Sequence, residues 1–139
     1  MKQLSALFLL ILLSCNMNNT NTIDTIKQNP NEINSIKKIL TSQQECWNNG
    51  DINGFMQGYW NSEKLIFTSL GHKPAYGWKE TFKRYKESYP SKESMGELIF
   101  NIIDLELTSN TTATLKGKWE LIRKDDHPNG IFWLNINKF

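Results

Sequence analysis

The stretch Thr112-Ala113-Thr114-Leu115-Lys116-Gly117-Lys118-Trp119-Glu120-Leu121 decides the fold. Its odd positions are apolar or small and its even positions are polar. Successive side chains of a strand point to opposite faces, so this alternation describes a strand with one buried face. Strands of similar length flank it, Leu98 to Leu107 before and Ile131 to Asn137 after. Turn-forming residues separate the three, Ser109-Asn110 on one side and Asp125 to Gly130 on the other. Short polar connections between alternating strands predict an antiparallel meander.

Upstream the period changes to that of helices. Asn29-Pro30-Asn31-Glu32 reads as a helix start, with Asn29 as cap, Pro30 in the first turn and Glu32 reaching back. Ile33, Ile36, Ile39, Leu40, Gln43, Cys46 and Trp47 then recur at three-and-four spacing, so the helix should run to Asn48 before Asn49-Gly50 ends it. Asp51 caps a second, short helix carrying Ile52, Phe55, Met56, Tyr59 and Trp60. Leu65 to Leu70 and Lys73 to Tyr76 read as a hairpin about Gly71-His72. A third helix follows over Gly77 to Ser88, with Trp78, Phe82, Tyr85 and Tyr89 on one face and Pro90 as its stop. The expected class is therefore α+β, three helices followed by an antiparallel sheet, with no internal repeat.

Residues 1 to 14 have a different character. Lys2 precedes an apolar run, Leu4 to Leu13, which is far shorter than the roughly 20 residues a spanning helix needs. The run ends in Leu12-Leu13-Ser14-Cys15, which resembles a bacterial lipobox. In that motif the cysteine sulfur forms a thioether to diacylglyceryl and becomes the first mature residue. An ordinary secretory signal with a chance cysteine stays open as an alternative. The expected organisation is a signal peptide over 1–14, lipidated Cys15 and an Asn- and Thr-rich tether over 15–28, and a folded domain over 29–139. A flexible tether of that length reaches roughly 20 Å. The address is then the extracytoplasmic side of a cell envelope, and Asn16 after the cysteine favours the outer membrane by analogy.

Composition removes several classes of function. The formal net charge is +2, and Lys83, Arg84 and Lys86 are balanced by Glu80 and Glu87 on the same helix, so no nucleic-acid partner is expected. His72 and His127 lack Cys, Asp or Glu at ligand spacing, so no metal is expected. Neither a phosphate loop, nor a nucleophile elbow, nor a dinucleotide fingerprint occurs, and no cofactor is expected. Once Cys15 is lipidated, Cys46 has no disulfide partner and reads as a small buried hydrophobe.

Several pieces together resemble the SnoaL-like, ketosteroid-isomerase-like group of the nuclear transport factor 2-like superfamily. They are Trp47 to Met56, Tyr59-Trp60, Tyr76-Gly77-Trp78, Gly117 to Leu121, and Gly130 to Leu134. The resemblance implies a cone, a curved antiparallel sheet wrapped around the helices with an apolar cavity at its open end. Such family members continue past the last strand with a further one, whereas this sequence stops at Phe139. A truncated reading frame, a partner chain on the edge, or a tolerant cone would each account for that.

Under this resemblance the cavity would be lined by Tyr59, Trp60, Phe67, Tyr76, Trp78, Tyr85, Trp119 and Phe132, drawn from an aromatic share of 12% that includes five Trp. The expected activity is binding of a small apolar or aromatic molecule by a membrane-anchored domain. Two alternatives stand beside it: an isomerase, cyclase or hydratase, and a dimerising interaction module. Ketosteroid isomerase needs a carboxylate base with a tyrosine and a neutral carboxylic acid as oxyanion hole. Tyr59, Tyr76 and Tyr85 could donate here. The acids set in apolar strands, Asp104 and Glu120, both fall on polar faces, although Asp104 shares its face with Phe100 and Ile102. No catalytic residue is assigned, and Arg123 is expected to end its strand in solvent.

Overall fold

The computed structural model describes residues 28 to 137, so the signal peptide, Cys15 and nearly all of the tether lie outside the described residues. The chain begins with α1 (Pro30–Asn48), capped by the Asn29 side chain, which accepts from the Asn31 amide at 3.0 Å. Its buried stripe is Ile36, Leu40, Gln43 and Trp47. Ile39, expected on that stripe, is half exposed, because its position lies off to one side of the buried stripe. Gly50, at φ 77°, reverses the chain after the helix.

Helix α2 (Ile52–Met56) is capped by Asp51, whose carboxylate accepts from the Gly54 amide at 2.8 Å. It is shorter than its apolar pattern suggests. The Gln43 amide donates to the Phe55 carbonyl at 3.0 Å and lies against Gly58, so Tyr59 and Trp60 fall in the turn that follows. The hairpin is also smaller than expected: β1 (Ile66–Phe67) pairs with β2 (Ala75–Tyr76), with a wide loop rather than a tight turn at Gly71-His72. Within that loop the His72 amide bonds Ser69, and Pro74 has no amide to give a longer ladder.

Helix α3 (Trp78–Ser88) starts where Gly77, at φ 86°, turns the chain out of β2. A short helix absent from the sequence reading, α4 (Lys92–Met95), follows Pro90. Ser91 and Ser94 cap it reciprocally, and it buries Met95. The meander then runs through β3 (Glu97–Leu107), β4 (Thr112–Ile122) and β5 (Asn129–Asn137), paired antiparallel in sequence order. The architecture is α+β, helices first and a three-stranded antiparallel sheet after them.

On β4 the predicted face is the buried one: Ala113, Leu115, Gly117 and Leu121 are enclosed. Gly117 is required because Phe132 of β5 lies across it, in space that a Cβ would occupy. On β3 the register shifts between Ile102 and Asp104. This bulge swaps faces, so Leu98 and Phe100 before it and Leu105 and Leu107 after it all turn inward. Two packed clusters result. One holds Trp47, Phe55, Met56, Met95, Leu98 and Leu121, the other Ile36, Leu40, Leu107, Ala113 and Leu115, and Phe100 touches both.

Candidate functional site

The first cluster carries an aromatic nest built by three elements. From α1 comes Trp47, whose indole nitrogen donates to the Met95 carbonyl at 3.0 Å. The α2 region adds Phe55 and Tyr59, and α3 adds Tyr85 and Tyr89 because they lie four residues apart on one face. Ring centroids are 4.9 Å apart for Trp47 and Phe55, 5.2 Å for Phe55 and Tyr85, and 5.4 Å for Phe67 and Tyr85. Most of these pairs meet edge to face, the arrangement aromatic quadrupoles favour. The nest is thus interlocked rather than hollow.

Within it the Tyr59 and Tyr85 hydroxyls sit 2.9 Å apart. Two phenols can share one hydrogen bond internally, which leaves the proton of the accepting hydroxyl available to another acceptor. Burial pushes the Tyr85 phenol well above its ordinary range and raises Tyr59 less, because the hydrogen bond from Tyr85 works against the burial there. Tyr89 is also raised by burial, with Arg123 opposing. Both members of the pair therefore stay neutral donors at any ordinary pH.

The other expected lining residues are dispersed. Phe67 joins the nest through Tyr59 and Tyr85. Trp78 lies at its border, donating from its indole to the Met56 carbonyl at 3.1 Å, and Trp119 packs on the same cluster from the sheet. Phe132 belongs to the second cluster, 5.3 Å from Phe100. Trp60 and Tyr76 are exposed. Phe55 and Tyr89, which are not among the expected lining residues, are integral to the nest.

Two clefts open away from the Tyr59–Tyr85 pair. One, of about 420 Å³, lies between the α1–α2 turn and the α3–α4 junction and is lined by Gly50, Asp51, Tyr89, Pro90, Lys92 and Met95 among others. The second, about 450 Å³, runs along the polar face of α1. Neither is lined by Tyr59, Phe67 or Tyr85.

The carboxylates lie away from the phenols. Because of the bulge, Asp104 does not share the inward face of Phe100; it is exposed and sits opposite Lys116 on the outer face of the sheet. Glu120 is on that outer face too, between Ile99 and Asn129. Arg123 does not simply end in solvent. It clasps Asp126 with two bonds of 2.6 and 2.7 Å and donates to the Ser94 carbonyl, tying the β4–β5 loop to α4. Among the described residues no group of His, Cys, Asp and Glu could hold a metal, and no helix is long and apolar enough to cross a membrane.

An α+β arrangement of helices followed by a meander, with an aromatic interior beneath the sheet, defines a fold shared with solved structures. An NTF-2 like protein of unknown function from Shewanella oneidensis MR-1 is 44% identical with a TM-score of 0.74, and the match covers 78% of this chain and 88% of that one. The chain belongs to the NTF2-like family. A ketosteroid isomerase-like protein from Erwinia carotovora atroseptica has the same fold at 16% identity and a TM-score of 0.58, covering 77% and 85% of the two chains. A domain of unknown function with a cystatin-like fold from Nostoc punctiforme, at 15% identity, has a TM-score of 0.60 and coverage of 81% and 80%. No family model matches the chain, and no curated protein does.

Proposed function

We propose that this chain is a binding domain for a small apolar molecule with one polar end, a carbonyl or hydroxyl, seated against the aromatic nest. The observation that carries the reading is the Tyr59–Tyr85 hydroxyl pair. It is bonded to itself at 2.9 Å among the rings of Phe55 and Phe67, and among the described residues no other side-chain hydrogen bond reaches it. One phenolic proton remains to be satisfied, and a ligand oxygen would accept it. With no carboxylate at the pair among the described residues, the chemistry is donation rather than proton abstraction, which favours binding over isomerisation or hydration. Because the rings are interlocked, a guest must part them at the Phe67 side, where the two-residue strands β1 and β2 are the lightest element covering the nest.

The test is native mass spectrometry and thermal shift on the full chain with fatty acids, sterols and aromatic ketones. A ligand at a hundredfold excess over its Kd should add about 2.7 kcal/mol of stability. The matched hydrocarbons should add much less, and Tyr85→Phe should remove the difference. No stabilisation by any member would refute the reading. The same proposal carries a membrane address through a thioether at Cys15. Cys15→Ser should move the chain from the membrane to the soluble fraction, and an unlipidated Cys15 in the membrane fraction would overturn that part.

A further inference from the structure

The hairpin that covers the nest is apolar on both of its faces. Its register sets Phe67 opposite Ala75 and Ile66 opposite Tyr76. Phe67 turns inward onto Tyr59 and Tyr85, and Ala75 is buried. By strand alternation the other pair belongs to the solvent side, where a hairpin over a core ordinarily carries polar residues. Here that side carries Ile66 and Tyr76, exposed at 62% and 66%.

The loop adds a third apolar group. The His72 amide donates to the Ser69 carbonyl at 3.1 Å and Gly71 has φ 79°, so Ser69 to His72 form a turn with Leu70 and Gly71 at its centre. Such positions usually hold Pro, Gly or a short polar residue. Leu70 is fully exposed there.

Charge separates this patch from other exposed apolar residues. From Lys64 to Lys79 the chain carries Lys64, Lys73 and Lys79, all exposed, and no acidic residue; Glu63 and Glu80 lie just outside. On the sheet, by contrast, Ile103 and Trp133 are exposed among both signs, Asp104 and Glu120 with Lys116 and Lys118. An apolar tip, a tyrosine at its base and flanking lysines match a bilayer interface. The tip reaches acyl chains, the phenol sits at headgroup level, and the ammonium groups meet anionic phosphate.

We propose that the β1–β2 hairpin docks on an anionic phospholipid bilayer, with Leu70 inserted below the headgroups and Ile66 and Tyr76 at their level. The contact needs neither a guest in the nest nor the thioether at Cys15. It orients the domain, because an anchor on a tether of roughly 20 Å fixes no face towards the lipid. Docking also sets the cover of the nest on the bilayer, so an apolar guest passes from lipid to nest without crossing water. That consequence, unlike the docking, rests on the ligand reading above.

A lipidated Cys15 would hold any variant on a membrane, so the readout must be local. The full chain, with its Leu and Ile methyl groups isotopically labelled, is placed on nanodiscs of phosphatidylcholine and phosphatidylglycerol that carry a nitroxide on the acyl chain. The Leu70 and Ile66 methyl signals should broaden, while those of buried Leu115 and of Ile39, exposed on α1, should not. Burying a leucine in lipid is worth roughly tenfold or more, so Leu70→Asp should lower the docked-to-free ratio read at Ile66 by that factor. Its unfolding midpoint should not change, because the Leu70 side chain packs on nothing. On discs of phosphatidylcholine alone the ratio should also fall roughly tenfold or more, since each lysine contributes about fivefold near an anionic surface. Leu70 signals that stay sharp on the discs, a Leu70→Asp chain that docks as before, or equal docking on neutral discs would each overturn the proposal. So would Leu70 and Ile66 signals that shift with protein concentration before lipid is added, which would assign the patch to a second copy of the chain. No guest is present in these measurements, so their failure and failure of the ligand assay are separate results.

Discussion

Replacing Asn48 by Ala tests whether side-chain amides stand in for a missing strand beside β3. The Asn48 amide makes two bonds to Leu98, one as acceptor and one as donor, in a part-buried setting. Each such bond contributes about 0.5–1.5 kcal/mol net, so losing both costs about 1–3 kcal/mol. Ala is the better helix former at this last position of α1 by about 0.5 kcal/mol, which offsets part of the loss. The expected destabilisation is about 1–2 kcal/mol by urea unfolding, with an unchanged slope. Gln44→Ala, which loses a single bond, should cost less. Asn48→Asp separates hydrogen bonding from packing, since its carboxylate keeps the acceptor for the Leu98 amide but turns a second oxygen towards the Leu98 carbonyl. Its pKa in the folded state should rise above the unfolded value of about 3.9. The variant should then approach wild-type stability below that pH, where a protonated oxygen donates, and lose this as pH rises through the folded pKa. A cost below about 0.5 kcal/mol for Asn48→Ala, or an Asn48→Asp variant as stable as wild type at neutral pH, would refute the reasoning.

Gly117→Ala puts a methyl group where the Phe132 ring lies and should destabilise by about 1–3 kcal/mol in the same unfolding assay. Leu115→Ala, at a position with no solvent exposure, should cost about 2–5 kcal/mol. The raised phenols predict an alkaline effect. Tyr85 stays protonated in the fold while the unfolded chain ionises near pH 10, so its contribution is complete below that pH and is lost as pH rises towards the folded value. Tyr85→Phe should therefore flatten the alkaline limb of the stability profile, and an unchanged limb would contradict the assigned burial. Arg123→Ala releases both Asp126 and the Ser94 carbonyl, and hydrogen exchange across Lys92–Met95 should accelerate.

Most of the fold was legible because two periodicities carried it. The alternation of β4 named its buried face residue by residue, and the α3 stripe Trp78, Phe82, Tyr85 and Tyr89 gave its inward side. The bulge was not legible. Ile102 and Ile103 are both apolar, so alternation continues equally well with either one inside, and plain alternation therefore joins Asp104 to the face of Phe100, from which the bulge separates it. Helix α4 was missed because four residues carry no period, and its Ser91–Ser94 cap lacks the usual Glu or Gln partner. The nest was visible only as a count of rings. Which rings touch depends on how α2 and α3 approach each other, and that is a tertiary property.

The guarded β3 edge shows where a readable signal was passed over. Asn48 and Gln44 are four residues apart on α1, a rise of about 6 Å. They serve Leu98 and Phe100, two residues apart on a strand, a rise of about 6.6 Å. A helix running antiparallel to a strand can thus satisfy alternate strand amides with side-chain amides at i and i+4. Gln44 and Asn48 flank the buried stripe of Leu40, Gln43 and Trp47 rather than facing away from it. Polar residues on that shoulder read as solvated surface when a helix is considered alone. Their length, their lack of charge and their spacing instead match the hydrogen-bonding period of a strand edge.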